Sequence, residues 1–168
     1  MKRLAAALLF VAFFHSAFAS ALSSAFTCAG KWRYLADEDK MEGSKMEFAT
    51  LTSNNVLTLG FPYQKNDNRG RLTFRSAKRD GLKLFIQIDA GQFMCSTGCS
   101  LRIKFDDAKP LTWSASSPKD GTSTVVFLSN SRAFFQKMKK SKRLLIEPNL
   151  YHESGQVLEF DPQGLTLN

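Results

Sequence analysis

Histidine and cysteine are scarce in this chain, with two histidines and three cysteines among 168 residues. Beyond the N-terminal segment the sole histidine is His152. That scarcity removes whole classes of chemistry. The common zinc sites draw on several His and Cys ligands, and a Ser-His-Asp or Cys-His relay needs a histidine at its centre. His152 opens His152-Glu153-Ser154-Gly155, with no nucleophile-elbow pattern around it, and reads as a solvated turn residue. Glycines are scattered singly (Gly60, Gly70, Gly81, Gly91, Gly98, Gly121 and Gly155), each beside turn chemistry, so no phosphate-cradling loop is present. Long apolar runs are missing after the N-terminus, and a bilayer-spanning helix needs about 20 such residues. The reading is non-enzymatic, with no metal and no cofactor.

What the N-terminus does contain points to export. Lys2 and Arg3 precede an unbroken apolar run, Leu4 to Phe14, and Ala17-Phe18-Ala19 follows with small residues at the cleavage spacing. These are the three parts of a secretory signal peptide. Residues 1–19 are expected to be removed, leaving one domain, residues 20–168, in the periplasm or outside the cell. Acylation of Cys28 fits less well, because Ala25-Phe26-Thr27 places an aromatic where small residues are wanted. Removing Lys2 and Arg3 from the 23 basic residues leaves 21 against 15 acidic, a net charge of +6. A chain of this size buries enough surface to fold without metal or a dense disulfide net. Its positive balance favours acidic partners without choosing among them.

Cys95 and Cys99 flank Ser96-Thr97-Gly98. Gly98 stands where a three-residue hairpin loop takes a left-handed residue, so the two sulfurs are expected to meet and close in an oxidising compartment. So small a ring gives only about 2 kcal/mol on the chain-entropy model. A redox-active pair is the alternative, although such pairs sit with two intervening residues at a helix start. Cys28 is left over, either free, paired with another chain, or replacing one partner.

Alternation of apolar and polar residues dominates the middle of the chain and marks half-buried strands. Leu57, Leu59 and Phe61 alternate, as do Leu72 and Phe74, then Leu82, Leu84, Ile86 and Ile88, then Leu101, Ile103 and Phe105. Turn-rich stretches separate them, predicting a four-stranded antiparallel meander. Further strands are predicted over 111–115, 122–128, 144–151 and 156–161, with Pro148 marking an edge or bulge. Trp32 and Tyr34 open the first strand, and a polar loop covers 37–45. One helix is predicted between Ser131 and Ser141, capped by Asn130 or Ser131, with Phe134, Phe135 and Met138 on its docking face. The fold class is mainly β: a two-layer antiparallel β-sandwich with one short helix.

Asp106-Asp107 follows a strand and reads as a turn-initiating pair, because neighbours on a strand end point to opposite faces. Two basic groupings remain. Around the helix lie Arg132, Lys137, Lys139, Lys140, Lys142 and Arg143, read chiefly as a solvated helix face and alternatively as an anion or membrane patch. If the meander strands are neighbours, Arg71, Arg75, Lys83, Arg102 and Lys104 leave on one wet face with Phe85 among them. That face is the candidate binding surface, although charged outer faces also guard sheets against aggregation.

Trp32-x-Tyr34, Asp39-x-Met41-x-Gly43, Gly60-Phe61-Pro62-Tyr63, Gly91-Gln92-Phe93-x-Cys95, Lys104-Phe105-Asp106-Asp107 and Phe160-Asp161-x-x-Gly164-Leu165 together resemble a group of small exported proteobacterial proteins. The resemblance is one of layout over most of the mature chain, and it implies a Gram-negative envelope setting. The function expected is binding of another macromolecule, foremost an envelope or secretion- or conjugation-related protein, or an inhibitor or immunity partner. The alternative is an anionic glycan, lipid or nucleic acid on the basic sheet face.

Overall fold

The computed structural model describes residues 26–29 and 31–167. The predicted signal peptide and its cleavage point lie outside the described residues. Ten strands and one helix follow in the order β1 (Phe26–Ala29), β2 (Trp32–Asp39), β3 (Ser44–Thr52), β4 (Gly70–Ala77), β5 (Gly81–Ile88), β6 (Cys99–Phe105), β7 (Leu111–Ser116), β8 (Val125–Leu128), α1 (Ser131–Met138), β9 (Leu144–Glu147) and β10 (Leu158–Phe160). The fold is mainly β and every pairing is antiparallel. No helix among the described residues is long and apolar enough to cross a membrane.

Alternation sets the two faces. Leu72, Phe74, Leu84, Ile86 and Ile88 are buried to within 1%, and their polar neighbours point outward. The β4–β5 hairpin turns where Gly81 takes φ +67°, with Ala77 opposite Gly81 and Arg71 opposite Gln87.

Hydrogen bonding runs through one continuous sheet, in the order β1-β2-β3-β4-β5-β8-β7-β6-β9-β10, where two separate layers were expected. The sheet curls on itself. Leu158 of β10, the last strand in that order, packs over Gly70 of β4, the fourth. The start of β2 meets the segment after β10 as well: Lys31 pairs with Asp161 at 3.0 Å, and the buried Trp32 Nε1 donates to the Pro162 carbonyl at 3.1 Å. The helix plugs the curl, with Phe134 fully buried against Phe74, Phe105 and Trp113.

Several local expectations are corrected. Leu57 and Leu59 are buried, but residues 57–61 form no strand. Their backbone groups are satisfied by loop contacts: Leu57 N donates to Asn68 O, Thr58 exchanges bonds with the Gln156 amide, and Gly60 N donates to Glu153 Oε1. An inside–outside period needs only a buried anchor line, and here polar side chains replace the missing ladder. Residues 37–45 are not a loop; β2 and β3 continue into a tight turn, and β1 precedes them. Asn130 occupies the N-cap position in a left-handed conformation with no capping bond from its side chain, while Ser131 Oγ donates back to Leu128 O at 3.3 Å. Pro148 follows the end of β9, where the ladder has stopped.

Candidate functional site

The ladder registers decide which nominated side chains share a surface. Across the outer face of the curl one row reads Arg33, Thr50, Thr73, Phe85, Phe127, each opposite the next. A second reads Leu35, Phe48, Arg75, Lys83, and a third Thr52, Arg71, Gln87, Val125. Arg71, Arg75, Lys83 and Phe85 therefore do lie together.

Arg102 and Lys104 do not join them. They leave on the outer phase of β6, opposite Glu147 and Leu145 of β9, and β8 and β7 stand between β6 and β5. The single five-cation face is thereby corrected to two separate patches. Periodicity reports which face a residue takes and says nothing about which strand lies beside it.

The larger patch is more than a charged surface. Arg33, Leu35, Phe48, Arg71 and Phe85 line a groove of about 420 Å³, across whose middle the Thr50 and Thr73 hydroxyls share a 3.0 Å hydrogen bond. A cleft of about 480 Å³ adjoins it, lined by Arg75, Lys83 and Phe127. The Phe85 and Phe127 rings lie 5.7 Å apart, one in each depression. Leu35 and Phe48 were missed in the sequence. The signal was present in Phe48-Ala49-Thr50-Leu51-Thr52, an alternating run whose buried phase is Ala49 and Leu51.

Much of the positive charge on the sheet is neutralised internally. Arg71 pairs with Asp89 at 2.5 Å, Arg75 with Asp80, and Arg102 with Glu147 at 2.7 Å. Burial works to raise the Asp89 carboxyl, but the Arg69 N–H, the Arg71 guanidinium and nearby Lys65 outweigh it and hold the pKa below its ordinary value. Beside it Asn68, fully buried, exchanges two 3.0 Å bonds with the backbone of Ala90. This end of the groove is stiff.

Asp106 is a clamp. Its carboxylate accepts from the N–H groups of Arg143 and Lys142 at 2.9 and 2.8 Å, which lowers its pKa and ties the end of β6 to the segment after α1. Asp120 is lowered in the same way by the Thr122 N–H across its own turn. His152 takes φ +55° in a turn, exposed, with its ring 4.0 Å from that of Tyr151.

Cys95 and Cys99 are joined, with Cα atoms 4.8 Å apart and Gly98 at φ +96° between them. The bridge does not close a β5–β6 hairpin, since those strands are not neighbours. It ties the loop before β6 to that strand's first residue. Cys28 falls in β1 opposite Arg33 in the backbone register. Among the described residues no group of three or more His, Cys, Asp or Glu side chains is placed to hold a metal ion.

No protein-family model, curated protein or solved structure matches this chain. The surfaces themselves carry the functional argument. A groove that brings aromatic rings, threonine hydroxyls and guanidinium groups together suits non-covalent recognition: the rings desolvate an anchor side chain, and the basic groups orient an acidic one.

Proposed function

We propose that this is an exported, periplasmic binding protein of the Gram-negative envelope, with no reaction of its own, and that its ligand is an acidic protein. The partner docks on the outer face of β2–β5 and β8. The observation that carries this reading is the groove where Phe48 and Phe85 lie beside Arg33 and Arg71. Outer sheet faces are ordinarily polar, and two phenylalanine rings left half-open to water there have a use once a partner covers them. Aromatic and arginine side chains grouped around a depression are also the composition of interface hot spots.

The same face suits a bulk polyanion less well. Arg71 and Arg75 already face Asp89 and Asp80, so the net field is weaker than the count of cations suggests. A shaped, partly apolar groove with few uncompensated charges favours a protein over a glycan or nucleic acid.

The test begins with capture of the partner from an envelope fraction by the secreted protein, whose intact mass should correspond to a chain starting at Ser20. Phe85→Ser and Lys83→Glu should each retain the wild-type circular dichroism. Phe85→Ser should weaken binding about 30-fold, as for a hot-spot anchor, and Lys83→Glu chiefly by slower association. Arg102→Glu with Lys104→Glu, on the separate patch, should bind as wild type does. Undiminished affinity in Phe85→Ser overturns the reading.

A further inference from the structure

Between Ser131 and Arg143 the chain carries six cations, Arg132, Lys137, Lys139, Lys140, Lys142 and Arg143, and no acidic residue. All six are exposed, and none forms an ion pair among the described residues, whereas Arg71, Arg75 and Arg102 on the sheet all do. The local structure explains the arrangement. Phe134, Phe135 and Met138 turn into the core, so the polar positions of α1 can only face water. Asp106 then fastens Lys142 and Arg143 through their N–H groups, and the turn it begins carries exposed Asp107 and Lys109, whose charges offset each other. The carboxylate of Asp106 is thus engaged with backbone at the edge of this charge.

We propose that this cationic cap seats the protein on an anionic lipid surface. The choice among polyanions follows from side-chain chemistry. Four of the six cations are lysines, compact charges on flexible stems, which neutralise a dense planar field without fixed geometry. The sheet groove, by contrast, uses arginines. Stacking on bases or sugars needs exposed aromatic faces, yet Phe134 is fully buried and Phe135 nearly so, with Lys139 Nζ 5.3 Å from the Phe135 ring centroid. Grouped like charges repel one another in the free protein, and an anionic bilayer relieves that repulsion. This surface is distinct from the groove, and the proposal stands or falls without it.

Protein purified after expression of the full chain is sedimented with vesicles of phosphatidylcholine alone or mixed with phosphatidylglycerol. At low salt, about 50 mM, it should sediment with the mixed vesicles only, and salt near 0.5 M should release it. Each cation contributes about fivefold in affinity, so Lys139→Glu, Lys140→Glu and Lys142→Glu together should weaken binding at least about 100-fold. The corresponding Lys→Gln triple variant, a gentler change, should move the same way. Lys119→Glu, an exposed cation in the loop between β7 and β8, should sediment as wild type does. Three results would each overturn the proposal: no sedimentation with the mixed vesicles, equal sedimentation with both kinds, or undiminished binding in the lysine variants. Retention on heparin or DNA without vesicle binding would instead reassign the cap to a polyanion.

Discussion

Asp89 and Asp106 are each held ionised by backbone N–H groups, yet they do different work. Asp106 joins two segments. Asp89 closes the groove end, where it pairs with Arg71 and accepts from the Arg69 N–H. Its pKa lies below the ordinary 3.8, so its stabilising contribution is full above that value and is lost as pH falls through the lower folded-state value. Asp89→Asn should therefore lower stability at neutral pH by about 1 kcal/mol, a modest figure because solvent screens a partly exposed pair. The difference in melting temperature from wild type should close as the pH drops below about 4. Melting curves from pH 7 to about 2 check this, and a gap that stays constant throughout would show that the charge is not what Asp89 contributes.

At the scale of the element, α1 is a stopper for the curled sheet. One residue, Phe134, touches rings from β4, β6 and β7. Truncation to Ala leaves a cavity walled by three strands that cannot all collapse inward, and should cost about 3–5 kcal/mol. A fall of about 10 °C in melting temperature is expected for a domain of this size. Trp113 fluorescence, whose ring packs edge-on at 5.2 Å from Phe134, should shift toward that of a wetter indole. An unchanged melt would mean that the sheet closes without its plug. The helix and most strands were legible because amphipathic periods of 3.6 and 2 are local properties of the chain. The insertion of β7 and β8 between β5 and β6 was not. It depends on which edges meet in space, and it divided one expected basic face into two. The stretch 57–61 misled for a related reason: it has the burial rhythm of a strand while its hydrogen bonds go to Asn68, Glu153 and Gln156. The groove lining was half-legible, with Phe85 nominated and Phe48 passed over.

The whole molecule depends on the curl closing, and distant parts of the chain cooperate there. Asn55 stands in for a strand, donating to Val157 O and accepting from Glu159 N, while Asn54 N donates to Glu159 O. Tyr34 OH joins Gly164 O and Thr166 N from the C-terminal segment. At the centre of the seam is Gly70. A Cβ there would stand 2.6 and 2.7 Å from the two Leu158 methyl carbons and 3.1 Å from its Cγ. Ala at a strand glycine would ordinarily gain about 0.4–1 kcal/mol by restricting the unfolded chain. Leu158 is fully buried, so it cannot retreat without disturbing its neighbours, and overpacking of this kind costs about 1–3 kcal/mol. The overpacking cost exceeds the entropic gain, so the substitution should destabilise. Gly70→Ala is expected to lower the melting temperature by several degrees and to speed hydrogen exchange first at Asn54 and Glu159, the amides that stitch the seam. Because the cause assigned is one contact, shortening its partner should remove it: in a Leu158→Ala background the glycine substitution should become neutral or stabilising. Equal destabilisation in both backgrounds would place the strain elsewhere in β4 and leave closure by β10 without its proposed dependence on Gly70.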